Sequence, residues 1–311
     1  MTRRSVILCL IIGMAFGGSF LARTAMPDPQ AGRTGGHGES GSCDHAEYRR
    51  IISLVPSITE VLFALGLGDR VVGVTDFCDY PPQATTRTKI GGCYNPNFEA
   101  ILSLRPDLVI LMKDQAQAKK YLDLAGMNVL VVDHGDVSGI LSSLSIVGQA
   151  CGVEGKAEEI AGDIRSRMKR ISHKTRGLGP STVMVSLGLD AGSKVIEHVY
   201  IAGKGGFYDE MISMAGGVNV YDGVISYPVL AAESILRLNP AVIIDIIPDL
   251  DTKSLDENMI LEKWESLSGL DAVKNNRVHI FSDDYVGIPG PRFILILEHM
   301  ARVIYPEARW E

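Results

Sequence analysis

The segment Glu99-Ala-Ile-Leu-Ser-Leu-Arg-Pro106-Asp-Leu-Val-Ile-Leu111 recurs 134 positions later as Glu233-Ser-Ile-Leu-Arg-Leu-Asn-Pro240-Ala-Val-Ile-Ile-Asp245. In both copies an acid opens a short stretch with an Ile-Leu-x-Leu stripe, a proline that cannot continue a helix follows, and a β-branched apolar run comes next. Each copy therefore reads as a helix leading into a buried strand. A repeat at this separation means two related α/β lobes rather than one continuous sheet.

A chain of 311 residues, 46% hydrophobic and 22% charged, has room for two lobes of ordinary size with full cores. Its net charge is −7, and removing residues 1–25 takes away Arg3, Arg4 and Arg23 but no acid, which moves it to −10. That balance argues against a nucleic-acid surface.

Residues 1–25 read as a signal peptide or N-terminal anchor. Arg3 and Arg4 precede an apolar run over 6–16, and the small residues Gly17, Gly18 and Ser19 follow. The run is short for a membrane span. Neither Cys9 nor Cys43 stands directly behind a small-residue site closing that run, so the sequence does not support lipid attachment. Residues 26–48 carry almost no large apolar side chain and read as a flexible linker. His37 and His45 flank Cys43 without regular ligand spacing, so no metal site is assigned.

The remainder divides into an N-terminal lobe over 49–152, one long helix over 153–177 and a C-terminal lobe over 178–311. In the first lobe a strand over 50–55 ends at Pro56, and Ser57 with Glu60 fits a capping box opening a helix over 58–65. A strand over 71–75 leads to a loop stiffened by Pro81 and Pro82. The first repeat copy follows, then a helix over 116–125, a strand over 129–132 and a helix from about 138 to 151. Ala157, Ile160, Ala161, Ile164, Met168 and Ile171 fall on one face of the long helix. The second lobe reads as a strand over 182–187, a Gly-rich turn at 203–206, a helix over 207–215, the segment 221–227 and the second repeat copy. A helix near 261–267, a strand over 277–281 and a helix over 291–304 complete it. Strands alternating with helices imply parallel sheets in both lobes.

Gly203-Lys-Gly-Gly206 lacks the Lys-Ser or Lys-Thr that closes a nucleotide-binding loop, so it is a strand-to-helix turn with Lys204 as a ligand candidate. No nucleophile elbow, Cys–His pair or His-Glu-x-x-His helix is present. His134, His173, His198, His279 and His299 are scattered singly and receive no role. Cys78 and Cys93 fall in adjacent loops of one lobe, and an exported chain meets an oxidising compartment. A Cys78–Cys93 disulfide is one expectation and a pair of free buried thiols the other. The positive signal is aromatic: Phe77, Tyr80, Tyr94, Tyr200, Tyr227 and Tyr285 all fall in or beside loops at the ends of expected strands, where ligands collect in open α/β sheets.

These residues resemble the ABC-transporter solute-binding proteins whose two Rossmann-like lobes are joined by one long helix and which take up ferric siderophores, haem and cobalamin. The resemblance spans about residues 49–306. It is carried by Arg50-Ile-Ile-Ser-Leu-Val-Pro-Ser-Ile-Thr-Glu60, Gly73-Val-Thr-Asp-Phe-Cys-Asp-Tyr-Pro-Pro82, the two repeat copies, Gly203-Lys-Gly-Gly-Phe207, Gly216-Gly-Val-Asn219 and Gly290-Pro-Arg292. The loop Asp79-Tyr-Pro-Pro82 and the strand end Ser53-Leu-Val-Pro56 look most like the cobalamin-binding branch. The resemblance implies a monomeric, non-catalytic extracytoplasmic protein without cofactor or metal, which holds a ligand between its lobes and delivers it to a permease.

The resemblance places Pro56, Ser57, Phe77, Tyr80, Cys93, Tyr94, Tyr200, Lys204, Tyr227, Asp284, Tyr285 and Arg292 at the ligand, and it gives Glu99 and Glu233 to permease docking. Cys93 and Tyr227 stand where the cobalamin-binding branch carries larger aromatics, so stacking area falls. Only Arg292 and Lys204 offer cations, which favours a corrinoid over an anionic siderophore, with haem or siderophore as the alternative. Two other readings use the same scaffold. A tetrapyrrole-handling enzyme would need a His and acid constellation in the cleft, where only His198 is at hand; an extracytoplasmic sensory module would not.

Overall fold

The computed structural model describes residues 48–189, 193, 195–248, 250 and 256–310. The leader expected over 1–25 and, apart from Tyr48, the linker expected over 26–48 lie outside the described residues.

The first sheet contains β1 (Ile51–Ser53), β2 (Val71–Val74), β3 (Thr88–Lys89), β4 (Leu108–Met112) and β5 (Val129–Val132), in the order β3-β2-β1-β4-β5. All of its pairings are parallel. Helices α1 (Pro56–Ala64), α2 (Phe98–Ser103) and α3 (Ala116–Leu124) make crossovers, and α4 (Val137–Cys151) follows the last strand. Every residue of β1 and β4 is buried, as strands covered on both faces require. Asn97 caps α2 through its Oδ1, which accepts from Ala100 N at 3.0 Å, and Asp136 caps α4 by accepting from Gly139 N at 2.7 Å.

Gly152, left-handed at φ 70°, ends α4. The chain turns there into α5 (Glu154–Thr175), whose apolar face lies against α4 on one side and against the last helix of the second lobe on the other. Arg167 of α5 makes a two-pronged bond to Glu298 of that last helix, Nε to Oε1 at 2.9 Å and Nη2 to Oε2 at 2.7 Å.

The second sheet runs β11-β10-β6-β7-β9, with β8 (Val218–Asn219) paired to β6. Its members are β6 (Thr182–Leu189), β7 (His198–Ile201), β9 (Val229–Ala231), β10 (Val242–Ile246) and β11 (Val278–Phe281). The helices are α6 (Phe207–Met214), α7 (Ala232–Leu238), α8 (Glu257–Glu265), α9 (Asp271–Lys274) and α10 (Phe293–Ile304). The second sheet departs from the all-parallel expectation, because β7 runs antiparallel to both β6 and β9. It is a mixed sheet, and the segment 221–227 is a loop.

Both repeat copies fold as helix then strand, α2 into β4 and α7 into β10. Their match extends to the backbone. Arg105 and Asn239, each directly before the proline, are left-handed at φ 46° and 45°, and Ile101 and Ile235 are fully buried at equivalent points of the two stripes. A residue preceding proline is sterically barred from continuing the helix, and the reversal into the strand is made there in both lobes.

Candidate functional site

The ends of β1, β4 and the 91–96 loop in the first lobe face the segment 287–289 of the second. Val55, Pro56, Ser57, Tyr94, Met112, Asp114, Gly287, Ile288 and Pro289 enclose a cavity of about 20 Å³, room for little more than one water, at the floor between the lobes. Tyr94 Oη donates to Asp114 Oδ2 at 3.0 Å on this wall. Ser57 does not cap its helix: α1 opens at Val55 without a side-chain cap. The Ser57 hydroxyl instead meets His134 Nδ1 at 2.9 Å, and His134 Nε2 meets Ser143 Oγ at 2.8 Å. His134 is fully buried, and burial pushes its pKa down to about 4. It is a neutral imidazole that ties the cleft floor to α4.

Glu60, the other half of the expected capping box, turns across the lobe boundary. Its carboxylate accepts from Arg292 Nε at 3.0 Å and Nη2 at 2.6 Å, while Arg292 Nη1 reaches both Asp284 oxygens at 2.8 and 2.9 Å. The guanidinium lies over the Tyr80 ring at 3.5 Å and near the Tyr285 ring at 5.3 Å. Burial raises the Glu60 pKa, and the Arg292 hydrogen bonds and charge work against that rise. Arg292 and Tyr80, expected at the ligand, are thus packed into a junction between lobes, and both line a side groove of about 480 Å³ under Phe63 and Pro81.

The other tyrosines expected at the ligand have the following surroundings. Tyr285 Oη donates to Asp283 Oδ2 at 3.0 Å, and burial followed by the Asp283 hydrogen bond and charge lifts its pKa to about 12. Tyr227 is half-buried beside the 203–206 turn, 3.2 Å from where a Cβ on Gly206 would stand, and burial pushes its pKa up to about 12. Gly203 holds this turn against the 225–228 strand approach, where any side chain would fall on the Ile225 carbonyl oxygen. Tyr200, exposed on β7, is the register partner of Val229. Lys204 is 3.5 Å from Asp209 in the second lobe, and Lys113 pairs with Asp133 in the first.

Phe77 packs partly into the core. Cys93, expected at the ligand, is buried, with its Sγ 3.7 Å from Thr75 Oγ1. Thr75 also meets Cys78 Sγ at 3.1 Å. Both cysteines are free thiols, which corrects the disulfide expectation. Burial raises both thiol pKa values, that of Cys93 to about 12.

Glu99 and Glu233 are exposed in the first turns of α2 and α7, at the rims of their lobes. Three residues of the site were missed by the sequence reading: Glu60, assigned to a cap, and His134 and Asp114, given no role. The buried carboxylate and its arginine lie 232 positions apart, and no local pattern joins them.

No group of three or more His, Cys, Asp or Glu side chains among the described residues is placed to hold a metal. No described helix is long and apolar enough to cross a membrane.

Residues 51–285 match the periplasmic binding protein family. An uncharacterized ABC transporter substrate-binding lipoprotein of Bacillus subtilis, YvrC, is 34% identical over 84% of this chain and 81% of its own length. A vitamin B12-binding protein of Vibrio cholerae is 26% identical over 81% of this chain and 87% of that protein. Among solved structures, the periplasmic vitamin B12 binding protein BtuF of Vibrio cholerae superposes with a TM-score of 0.70 at 25% identity, covering 84% of this chain and 98% of that one. The periplasmic heme-binding protein RhuT from Roseiflexus gives 0.72 at 25% identity, covering 84% and 100%. Two lobes on one connecting helix, an aromatic and acidic cleft between them and a match over most of the chain lead to one conclusion: the protein belongs to the periplasmic binding protein family, whose members are substrate-binding components of ABC transporters and not enzymes.

Proposed function

We propose that this chain is the extracytoplasmic component of an ABC importer that holds a corrinoid between its lobes. The observation that carries the reading is the charge state of the cleft. Asp114 lines the cavity between the lobes with Tyr94, Asp283 and Asp284 directly precede Tyr285 in the chain, and Arg292, Lys204 and Lys113 are each already matched to acids. A ligand rich in neutral carboxamides meets such a surface with N–H donors to carboxylates and with apolar faces to the tyrosines. Haem propionates or an anionic ferric siderophore would have to share each of these cations with an acid already paired to it. The similarity to vitamin B12-binding proteins supports the same choice.

Calorimetry on the purified chain with cobalamin, cobinamide, haem and a ferric siderophore tests it. Binding of a corrinoid and not of the two anionic ligands is the expected result; haem binding more tightly than either corrinoid removes the assignment.

Glu99 and Glu233 are proposed to meet arginines of the permease. Each also gains roughly 0.3–1 kcal/mol from its helix dipole without any partner, so their presence alone does not decide the role. The double substitution Glu99→Ala with Glu233→Ala is expected to leave ligand affinity unchanged and to abolish uptake in a reconstituted transporter. Uptake at the original rate refutes docking through these acids.

A further inference from the structure

We infer that Arg292 is a positioning residue that sets the spacing of the two lobes and that Asp284 couples this spacing to occupancy of the cleft. The coupling rests on the ligand reading above; the spacing does not.

Arg292 belongs to the second lobe, at the start of α10, yet its shortest bond, from Nη2 at 2.6 Å, and a second from Nε at 3.0 Å are to Glu60 of the first lobe. A planar guanidinium bound along one edge by Glu60, at its other end by Asp284, and lying on the Tyr80 ring is fixed in three directions. The backbone closes the same contact. A Cβ on Gly290 would stand 3.0 Å from Glu60 Oε2 and 3.5 Å from Ser57 Cα, so the second lobe packs directly on the start of α1 beside the same carboxylate. Displacing the lobes would strand a carboxylate whose side chain is only 2% exposed.

The two acids differ in a way that divides their roles. The Asp284 side chain is 53% exposed and directly precedes Tyr285, whose ring the same guanidinium approaches. A hydrogen-bond donor on a bound ligand competes with Arg292 Nη1 for Asp284, while the Glu60 bond has no access to the ligand. The Glu60 bond is the fixed part of the junction and the Asp284 bond the exchangeable part.

Pulsed electron-resonance distances between nitroxides at Lys120→Cys on α3 and Glu262→Cys on α8 report the spacing, in the full chain carrying Cys9→Ser and Cys43→Ser. Glu60→Gln with Arg292→Met removes both buried charges and is expected to shift and broaden the ligand-free distance distribution with circular dichroism unchanged. Arg292→Lys, which keeps the charge and loses the fork, is expected to broaden it as well. Should the double variant not fold, Tyr80→Ala removes the stacking wall without stranding a charge and is expected to broaden the same peak. A ligand-free distribution identical to the parent's in a folded variant overturns the positioning role. Asp284→Asn is expected to keep the parent's ligand-free distances and to lose the shift that cobinamide produces in the parent. A parent whose distances do not move on saturation with cobinamide overturns the coupling. Absence of any corrinoid binding defeats the ligand reading and leaves the ligand-free comparison intact.

Discussion

Arg292→Met, made alone, is expected to lower the unfolding free energy by about 3–5 kcal/mol, the range for removing one partner of a buried ion pair. The mutant leaves Glu60 with 2% of its side chain exposed and no guanidinium to answer two oxygens. Burial already raises the Glu60 pKa against the pull of Arg292, and without that pull the carboxyl takes up a proton at a higher pH still. An acid whose folded pKa lies above its unfolded value loses stability as pH rises through the folded pKa. The deficit of the mutant is therefore largest above neutrality and shrinks towards pH 4.5. Adding Glu60→Gln is expected to recover most of the loss, because a neutral amide does not carry the cost of a buried charge. Urea titrations of the three proteins at pH 5 and pH 8 measure this; a single mutant with an unchanged midpoint at pH 8 would show that the pair contributes nothing.

The second large effect is a pair of opposed pH slopes. His134, fully buried with its pKa pushed down to about 4 by desolvation, takes up a proton on unfolding anywhere between that value and 6.5. Its contribution is complete above pH 6.5 and is lost as pH falls to 4, about 3 kcal/mol in full. Asp245, on β10, is also fully buried, and desolvation pushes its pKa up to about 6. Its Oδ2 accepts from Trp264 Nε1 at 2.9 Å, while its Oδ1 and the hydroxyl of its register partner Ser186 complete no hydrogen bond. The Trp264 hydrogen bond and the Lys263 charge pull that pKa down less than burial pushes it up. The neutral acid is favoured in the folded chain, so the Asp245 contribution is present below pH 3.8 and is lost as pH rises to 6, again about 3 kcal/mol. The two slopes nearly cancel in the parent. His134→Gln should unmask falling stability between pH 4 and 6, and Asp245→Asn should unmask rising stability over the same interval. Denaturant midpoints at half-unit steps decide it, and parallel profiles for the two variants would discard the assignment.

Most of the first lobe was legible because its signals are local. Pro56, Pro106 and Gly152 stop or start elements where the chain itself carries the instruction, and the Val129–Val132 strand is an apolar run in which three of four residues are β-branched. The second lobe was harder. The His198–Ile201 strand pairs antiparallel with β6 and β9, and four residues of mixed character hold no trace of direction. The cleft failed differently. Ser57 and Glu60 have the spacing of a capping box, and in the fold both are taken by partners far away in the chain, His134 and Arg292. Local propensity lost to buried polar pairing, whose energy depends on groups that only the tertiary fold brings together. The family resemblance puts Cys93 where the cobalamin-binding branch carries an aromatic. A small thiol at that position can turn inwards under Thr75, and it does.

The reversed pair β7 and β9 has a consequence for the duplicated helices. In the first lobe the helix carrying Glu99 follows a loop closed by the Gly91–Pro96 bridge; in the second, the helix carrying Glu233 follows an edge strand with Val229 and Tyr200 exposed alongside. The chain thus presents a matched pair of acids on unmatched ground. Anything that grips both rims at once can tell one end of the molecule from the other, and the internal duplication does not make the protein reversible.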